Sequence, residues 1–477
     1  MTVQDLVSLL PLLILAASTV TVMLVIAFRR NHTLTFTLTM IGLTLSLVTL
    51  PFASRTIPRT ITSLLIMDQF AIFYIALILL TSLVVVLLSF SYIDEVTGNK
   101  DEYYILVLLA TLGACTLIIS NHFIAFFLGL ETLSIALFTM ISYTRFQRER
   151  IEAAIKYLVL AAAASAFLLF GMAVIYTVSG TMQFNQLPLI TKLPTEGQVF
   201  LTTGASLIIV GIGFKLAFVP FHMWVPDVYD GAPAPVTAFV ATVSKGSVFA
   251  LFLRLFVPLS ITIGSSLWNV LALIAIASML VGNILALTQN NVKRILAYSS
   301  IAHFGYLLVA FLAGGALAAF ATTFYIVVYI ITSLMAFGVI ALLSAPKSEF
   351  EDLEKYRGLF RQRRGYTVLL TLALLSLASL PPTGGLIGKI FLAAAGVGSS
   401  LWLLLAALVI GSVIGLFYYM RIVITMFRQS DVKEQVILPV RRSAYWALIA
   451  LSVILVILGV YPSPLIQLIQ RVVTGFS

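Results

Sequence analysis

Apolar runs of about twenty residues or more, separated by short polar stretches, recur from one end of the chain to the other. A helix needs ~20 apolar residues to cross the hydrocarbon layer of a bilayer. Backbone groups find no water at that depth, so runs of this kind must be helical. On this ruler the pattern predicts an all-α polytopic membrane protein of about fourteen transmembrane helices. Their expected positions are approximately 6–28, 33–53, 68–93, 103–119, 122–144, 152–178, 198–223, 233–257, 265–287, 292–314, 317–344, 366–396, 400–427 and 443–467.

Two of the runs are interrupted. Gly213–Pro226 reads Gly-Phe-Lys-Leu-Ala-Phe-Val-Pro-Phe-His-Met-Trp-Val-Pro and falls in helix seven; Leu380–Lys389 reads Leu-Pro-Pro-Thr-Gly-Gly-Leu-Ile-Gly-Lys and falls in helix twelve. Proline removes a backbone donor, so discontinuous helices are expected at both places, each with a lysine beside the break. Paired breaks of this kind are a pointer to inverted repeats with an ion site at mid-membrane. The expected division is therefore a three-helix segment at 1–102, a first repeat of helices 4–8 at 103–258, a second of helices 9–13 at 259–428, and a C-terminal helix at 429–477. Between the helices, Arg55–Met67 suggests a small hairpin, and the charged Ser344–Arg364 stretch suggests a short amphipathic helix along the membrane surface.

Composition agrees with the pattern. The chain has 477 residues, 61% of them hydrophobic and only 10% charged, with mean hydropathy +1.11, which excludes an ordinary soluble protein. Its single cysteine, Cys115, supplies neither an internal disulfide nor a zinc or iron–sulfur cluster. No dinucleotide, flavin, haem or Walker A motif is visible, so no cofactor is expected in this chain. The net charge of +10 could suggest nucleic acid, but the positives sit in short loops between apolar runs. They crowd the loops after odd-numbered helices: Arg29 and Arg30; Arg145, Arg148 and Arg150; Lys293 and Arg294; Lys347, Lys355, Arg357, Arg361, Arg363 and Arg364; Arg428, Lys433, Arg441 and Arg442. The opposite loops hold little beyond Arg55, Arg59, Lys192 and Arg471. The positive-inside rule makes the first set cytoplasmic and puts both termini outside, with the lipid bilayer and no nucleic acid as partner. The acidic start, Met1–Asp5, lacks a basic n-region, so the first run reads as a retained helix.

Four ionisable residues lie deep inside the apolar runs: Glu131, Lys215, Lys245 and Lys389. A charge at bilayer depth costs roughly 2.5–3.5 kcal/mol on insertion scales, and such residues commonly line ion or proton paths. A glutamate with several lysines, and no obvious metal-ligand set, points to protons. A carboxyl whose cation partner can approach or retreat is a proton switch, and Lys215, just before a break, is the natural partner of Glu131; the plainer alternative is a static ion pair joining two helices. Lys245 has Thr242 and Ser244 nearby, which suits a hydrated path. His303 is placed to relay between lysines, with Tyr298, Ser299 and Ser300 close in sequence. His222 reads equally as relay or as structural cap. Asp227 and Asp230 suggest a helix-entry or assembly feature. Arg254 and Arg421 read as anchors, Arg421 alternatively facing a neighbouring subunit, and His32, His122 and Cys115 as packing residues.

These segments resemble a known family. Gly213-Phe-Lys-Leu, the run Val219-Pro-Phe-His-Met-Trp-Val-Pro-Asp-Val-Tyr-Asp-Gly-Ala-Pro-Ala-Pro-Val, the run Lys293-Arg-Ile-Leu-Ala-Tyr-Ser-Ser-Ile-Ala-His-Phe-Gly-Tyr and the Pro381-Pro-Thr-Gly-Gly stretch are similar to the antiporter-like membrane subunits of respiratory complex I. Within that family the chain is most similar to the subunit N branch of bacterial NADH:quinone oxidoreductase, which has a lysine where the subunit M branch has glutamate on helix twelve. The sequence stops shortly after helix fourteen, so the subunit L branch, with its long lateral helix, is the less expected match. The resemblance covers essentially the whole chain. It implies fourteen helices with two inverted five-helix repeats, Glu131 and Lys215 as a coupling pair, Lys245 and His303 as relays, and Lys389 as the terminal lysine. It also implies a bacterial inner-membrane location and neighbouring complex I membrane subunits as partners, with NADH, FMN, iron–sulfur clusters and quinone handled in partner subunits. The competing expectation is a subunit of a multi-subunit sodium/proton antiporter, which shares the broken helices.

Overall fold

The computed structural model describes residues 2–144, 148–187, 195–259, 261, 263–429 and 442–474. Among them are thirteen helices long and apolar enough to cross a membrane: Leu10–Phe28, His32–Ala53, Gln69–Asp94, Glu102–Ile119, Phe123–Ile141, Arg148–Ser179, Gly197–Leu216, Ala234–Phe256, Ser266–Leu287, Val292–Ala313, Gly315–Leu343, Trp402–Phe427 and Arg442–Val460. Two shorter apolar helices, Arg364–Leu377 and Gly384–Gly398, succeed one another across a break and form the twelfth span in chain order. With that broken span included, the expected fourteen are present. Arg145, Lys192, Lys433 and Arg441 lie outside the described residues.

Both breaks fall at the proline clusters. Span seven ends at Leu216, the chain turns at Ala217 with φ 64°, and helix resumes at Trp224–Gly231. Freed carbonyls find new donors: Phe218 N–H bonds Gly213 O at 2.8 Å, and the Trp224 indole N–H bonds Phe214 O at 2.8 Å. Span twelve stops at Leu377, turns at Ser379 with φ 59°, and resumes at Gly384. A non-glycine residue in the left-handed region costs of order 1–3 kcal/mol, so surrounding contacts must hold both turns. Gly385 is required at the second: a Cβ there would collide with the Ser376 carbonyl.

Burial separates a centre from a rim. Spans eight and eleven are wholly buried and span ten is 94% buried, whereas span one is 33% and span fourteen 28% buried. The central helices therefore need no lipid-facing stripe and can carry polar side chains inward. Span eight also departs from a regular α-helix, with a π turn at Val240–Ser244 immediately before Lys245; such turns insert one residue and rotate the next side chains to a new direction. Spans nine and ten approach closely through Gly282, where a Cβ would lie 2.8 Å from the Ala302 nitrogen.

Several boundaries differ from those expected. Span one begins at Leu10, behind a separate short helix, Val3–Ser8, because Pro11 starts a new helix at its first turn. The last span ends at Val460, not near 467; Pro462 stops it, and a separate helix runs Ser463–Thr474. Where one short amphipathic helix is expected in Ser344–Arg364, the structure has two four-residue pieces, a 3-10 helix at Leu353–Tyr356 and an α-helical turn at Leu359–Gln362. That stretch instead bonds its backbone to Asn290–Val292, with Leu353 N–H to Asn290 O at 2.9 Å. The hairpin is present, pairing Arg59–Ile61 antiparallel with Leu65–Met67. It leads into Asp68, which caps the third span through Ala71 N–H and takes a bidentate bond from buried Arg254 at 2.8 and 2.9 Å.

Candidate functional site

Span five presents Glu131 and Ser134 three residues apart, so both face the same side of the helix. The half-buried Glu131 carboxylate accepts a bond from Ser165 Oγ of span six at 2.5 Å. Lys215, 3% exposed, donates to Ser134 Oγ at 2.7 Å and to Tyr157 OH at 3.1 Å. Ser134 donates its hydroxyl hydrogen bond to Leu130 O at 2.6 Å, which leaves its oxygen lone pairs for the ammonium. The coupling pair expected of Glu131 and Lys215 is not a contact pair: no ion pair joins them within 4.0 Å among the described residues, and Lys215 bonds Ser134 and Tyr157 instead. The two charges interact through space.

Lys245, just after the π turn, is fully buried and donates to Ser300 Oγ at 2.7 Å. Phe304 lies 4.9 Å and Tyr229 5.6 Å from its Nζ, ring faces toward the charge. The Tyr229 and Tyr329 hydroxyls are buried beside Ser300 without reaching hydrogen-bond geometry to any described group. His303, one turn along from Ser299 and Ser300, joins two other spans: Nδ1 to Tyr325 OH at 2.7 Å and Nε2 to Tyr419 OH at 3.0 Å. Tyr419 OH also bonds Ser299 Oγ. Lys389, 9% exposed, has no hydrogen-bond partner among the described residues; its Nζ rests 4.7 Å from the ring centre of Tyr306. A polar row thus runs from the edge at Glu131 through Lys215, Lys245 and His303 to Lys389.

The 120–415 segment matches the family model described as NADH:quinone oxidoreductase/Mrp antiporter, TM. A relative named NADH-quinone oxidoreductase subunit N, from Ectopseudomonas mendocina (strain ymp), is 47% identical over 480 residues, covering 98% of this chain and 97% of that one. The chain belongs to this family of complex I antiporter-like membrane subunits. The same fold occurs in respiratory complex I from Thermus thermophilus with bound aureothin, at TM-score 0.83 and 32% identity over 96% of this chain and 98% of that one. It occurs in the membrane-bound sulfane sulfur reductase, an archaeal respiratory membrane complex, at TM-score 0.87 and 25% identity over 99% and 98% of the two chains. The Mrp complex from Dietzia sp. DQ12-45-1b gives TM-score 0.86 at 20% identity over 100% and 98%, a likeness of fold.

In this antiporter-like subunit the predicted side residues divide. Ser299 joins the row. Tyr298 does not; it lies within Coulombic reach of Arg294 and bonds none of the row. His222 is buried in the break with Nδ1 unpartnered and makes no bond to Lys215. His122 caps span five through Ile124 N–H at 3.1 Å, and His32 bonds Tyr104 and stacks on Phe90, as packing residues do. Arg421 donates to the carbonyls of Leu287 and Gln289, at the end of span nine. Asp227 and Asp230 form an ion cluster with Lys156 and Arg294. Lys293, expected in a basic loop, is wholly buried and donates to Ala232 O at 2.8 Å, with Glu349 at 3.5 Å bridging it to Arg150.

Sequence reasoning missed the hydroxyls that connect the charges: Ser134, Tyr157, Ser165, Tyr325 and Tyr419. Only Ser134 carried a readable signal, its three-residue spacing from Glu131. The others come from helices with no charge in their centre.

Proposed function

We propose that this chain is a proton-translocating membrane subunit of NADH:quinone oxidoreductase, coupling electron transfer in partner subunits to proton movement across the membrane. The single observation that carries the reading is the buried polar row, in which three lysines and a histidine succeed a carboxylate through the centre of an apolar bundle. Nothing in packing requires Glu131 and three lysines at that depth, where each charge costs roughly 2.5–3.5 kcal/mol to insert. The 47% relative, a subunit N, supports this assignment over the sodium/proton antiporter alternative, to which the likeness is one of fold.

In this reading NADH, FMN, iron–sulfur clusters and quinone belong to partner subunits, and energy arrives here as a change in charge or position near Glu131. Coulomb attraction at 4 Å is about 4 kcal/mol at an effective dielectric of 20, and it weakens as the separation grows. A shift of Glu131 against Ser165 would thus change how firmly Lys215 holds its proton. Ser134 and Tyr157 fix the ammonium so that the change acts on its charge and not on its place. The proton then passes to Lys245 and Ser300, to His303, and to Lys389. The two breaks support the division into a first repeat at 103–258 and a second at 259–428, flanked by 1–102 and 429–477. The basic loops support a bacterial inner-membrane orientation with both termini periplasmic.

The test is proton transport in the assembled complex reconstituted in vesicles, measured as protons moved per NADH oxidised. Lys215→Ala is expected to lower that ratio; an unchanged ratio in a fully assembled complex overturns the reading. Copurification separates the alternative: a complex without redox centres that exchanges sodium for protons would make the chain an antiporter subunit.

A further inference from the structure

Beyond Lys245 the same face of span eight carries phenylalanine. Phe249, Phe252 and Phe256 follow the lysine by four, seven and eleven residues in a regular α-helix, which brings each ring back to within about 40° of the lysine's direction. Span ten faces them with Phe304 and Phe311, seven residues apart, and the break in span seven adds Phe218. The series starts at the lysine itself, whose Nζ lies 4.9 Å from the Phe304 ring centre. From there the ring centres succeed one another: Phe304 to Phe249 at 5.8 Å, Phe249 to Phe252 at 5.9 Å, and Phe252 to Phe311 at 4.6 Å, to Phe256 at 4.9 Å and to Phe218 at 6.3 Å. Phe252 stands at the centre, fully buried.

Charge is kept off this face. Arg254, the one other charge on span eight, comes nine residues after Lys245 and so points to the opposite side, where it binds Asp68 and the Ile118 carbonyl at 2.8 Å. The rings end at a cavity of about 220 Å³ whose wall includes Phe256 and Phe311 together with Val257, Ile261 and Gly314. Those last three belong to the connections after spans eight and ten, which carry no charge and are periplasmic in the proposed orientation. Six phenylalanines from three spans therefore fill the distance between the central lysine and the outer side.

A proton moves between groups through hydrogen-bonding atoms or water. The rings offer no such atoms, and an apolar space without polar partners stays dry; hydrophobic constrictions close membrane pores by the same dewetting. We infer that Phe252 and the rings around it form a dry plug that closes Lys245 off from the outer side. The inference rests on the proposed role of the row as a proton path. A pump works against the gradient it builds, and a wet connection at this place would let exported protons run back into the middle of the row without passing Lys389.

The test reads protons moved per NADH oxidised by the assembled complex in vesicles, first without and then against an imposed pH gradient. Phe252→Ser removes the central ring and supplies a hydroxyl to which water can bond. Its proton ratio is expected to fall below wild type by an amount that grows with the opposing gradient, while NADH oxidation continues, because the gradient drives the return flow. A ratio equal to wild type at every gradient overturns the plug. So does a ratio lowered equally at every gradient, which is what damage to the pumping row alone would give. Phe252→Leu keeps the site apolar and is expected to match wild type; a gradient-dependent loss as large as that of the serine variant would make ring packing, and not dryness, the barrier and overturn the inference. Phe311→Ser, at the cavity end, decides by the same criteria where Phe252→Ser does not assemble. Lys215→Ala measured alongside separates the two failures: if it pumps normally, the pumping role itself is wrong, and if it does not while the serine variants match wild type, only the plug is.

Discussion

Lys215 and Lys389 both sit beside broken helices, yet they are held in opposite ways. Lys215 lies on the segment before its break and is gripped by two hydroxyls, Ser134 and Tyr157, with the Glu131 carboxylate within Coulombic reach. Lys389 lies on the segment after its break, has no hydrogen-bond partner among the described residues, and rests on the face of Tyr306. A hydrogen bond to a charged group contributes about 1.5–3 kcal/mol, and a desolvated cation–π contact about 2 kcal/mol. The first lysine is thus fixed by directed bonds. The second has only an undirected attraction to a ring among the described residues. Two similar backbone breaks need not carry the same kind of site.

The largest effect expected is from Glu131→Gln, which removes the one negative charge near Lys215 while keeping the acceptor for Ser165. Proton transport per NADH should fall about as far as in Lys215→Ala; a variant that pumps normally would show that Lys215 works without its acid and erase the main difference between the two lysines. Tyr306→Leu should come next. It removes the ring on which the Lys389 ammonium rests, a contact of about 2 kcal/mol, and should reduce transport without affecting recovery of the complex on purification. Ser134→Ala removes one of two bonds to Lys215, of about 1.5–3 kcal/mol, and Tyr157 remains, so a partial loss smaller than for Glu131→Gln is expected in the same vesicle assay. A loss as complete as that of Lys215→Ala would mean that Ser134 transmits the charge of Glu131 rather than merely seating the lysine.

The smallest effect serves as a control outside the membrane-spanning segments. Burial raises the Asp227 carboxyl, but hydrogen bonds and charge from Lys156 and Arg294 outweigh it and hold the carboxyl below the usual carboxylate range. A group lowered in the folded state stabilises it above the unfolded value of about 3.9 and loses that contribution as pH falls through the folded one. Asp227→Asn should therefore cost at most about 1 kcal/mol at neutral pH, since the cluster is partly exposed, and should remove part of the acid sensitivity of thermal unfolding below about pH 4. Proton transport near neutrality should not distinguish it from wild type.

Much of this was legible in the chain alone. The span count came from apolar run length, and both breaks fell where proline and glycine cluster. The four buried charges stood out because three are the only charge in their runs and Lys245 shares its run only with Arg254, near the far end. What failed had local causes of another kind. Pro462 ended the last span early, a stop signal overlooked because apolar residues continue beyond it. Ser344–Arg364 holds two short helical pieces where one was expected, because the backbone at Glu351 and Leu353 bonds Val292 and Asn290, which no local pattern announces. Tyr298 was grouped with Ser299 by adjacency, although one residue along a helix turns a side chain by about 100° and takes it off the row.

The number of spans, the places where two of them break, the identity of the buried charges and the family can be read from the chain, because each depends on residues near one another in it. Which side chains touch follows from packing: the fold seats Lys215 on Ser134 and Tyr157 of two other spans and brings Tyr419 of the thirteenth span to His303. Those outcomes depend on how each helix is rotated and how closely small residues such as Gly282 and Gly411 let neighbours approach, and both are settled by packing between segments often more than a hundred residues apart.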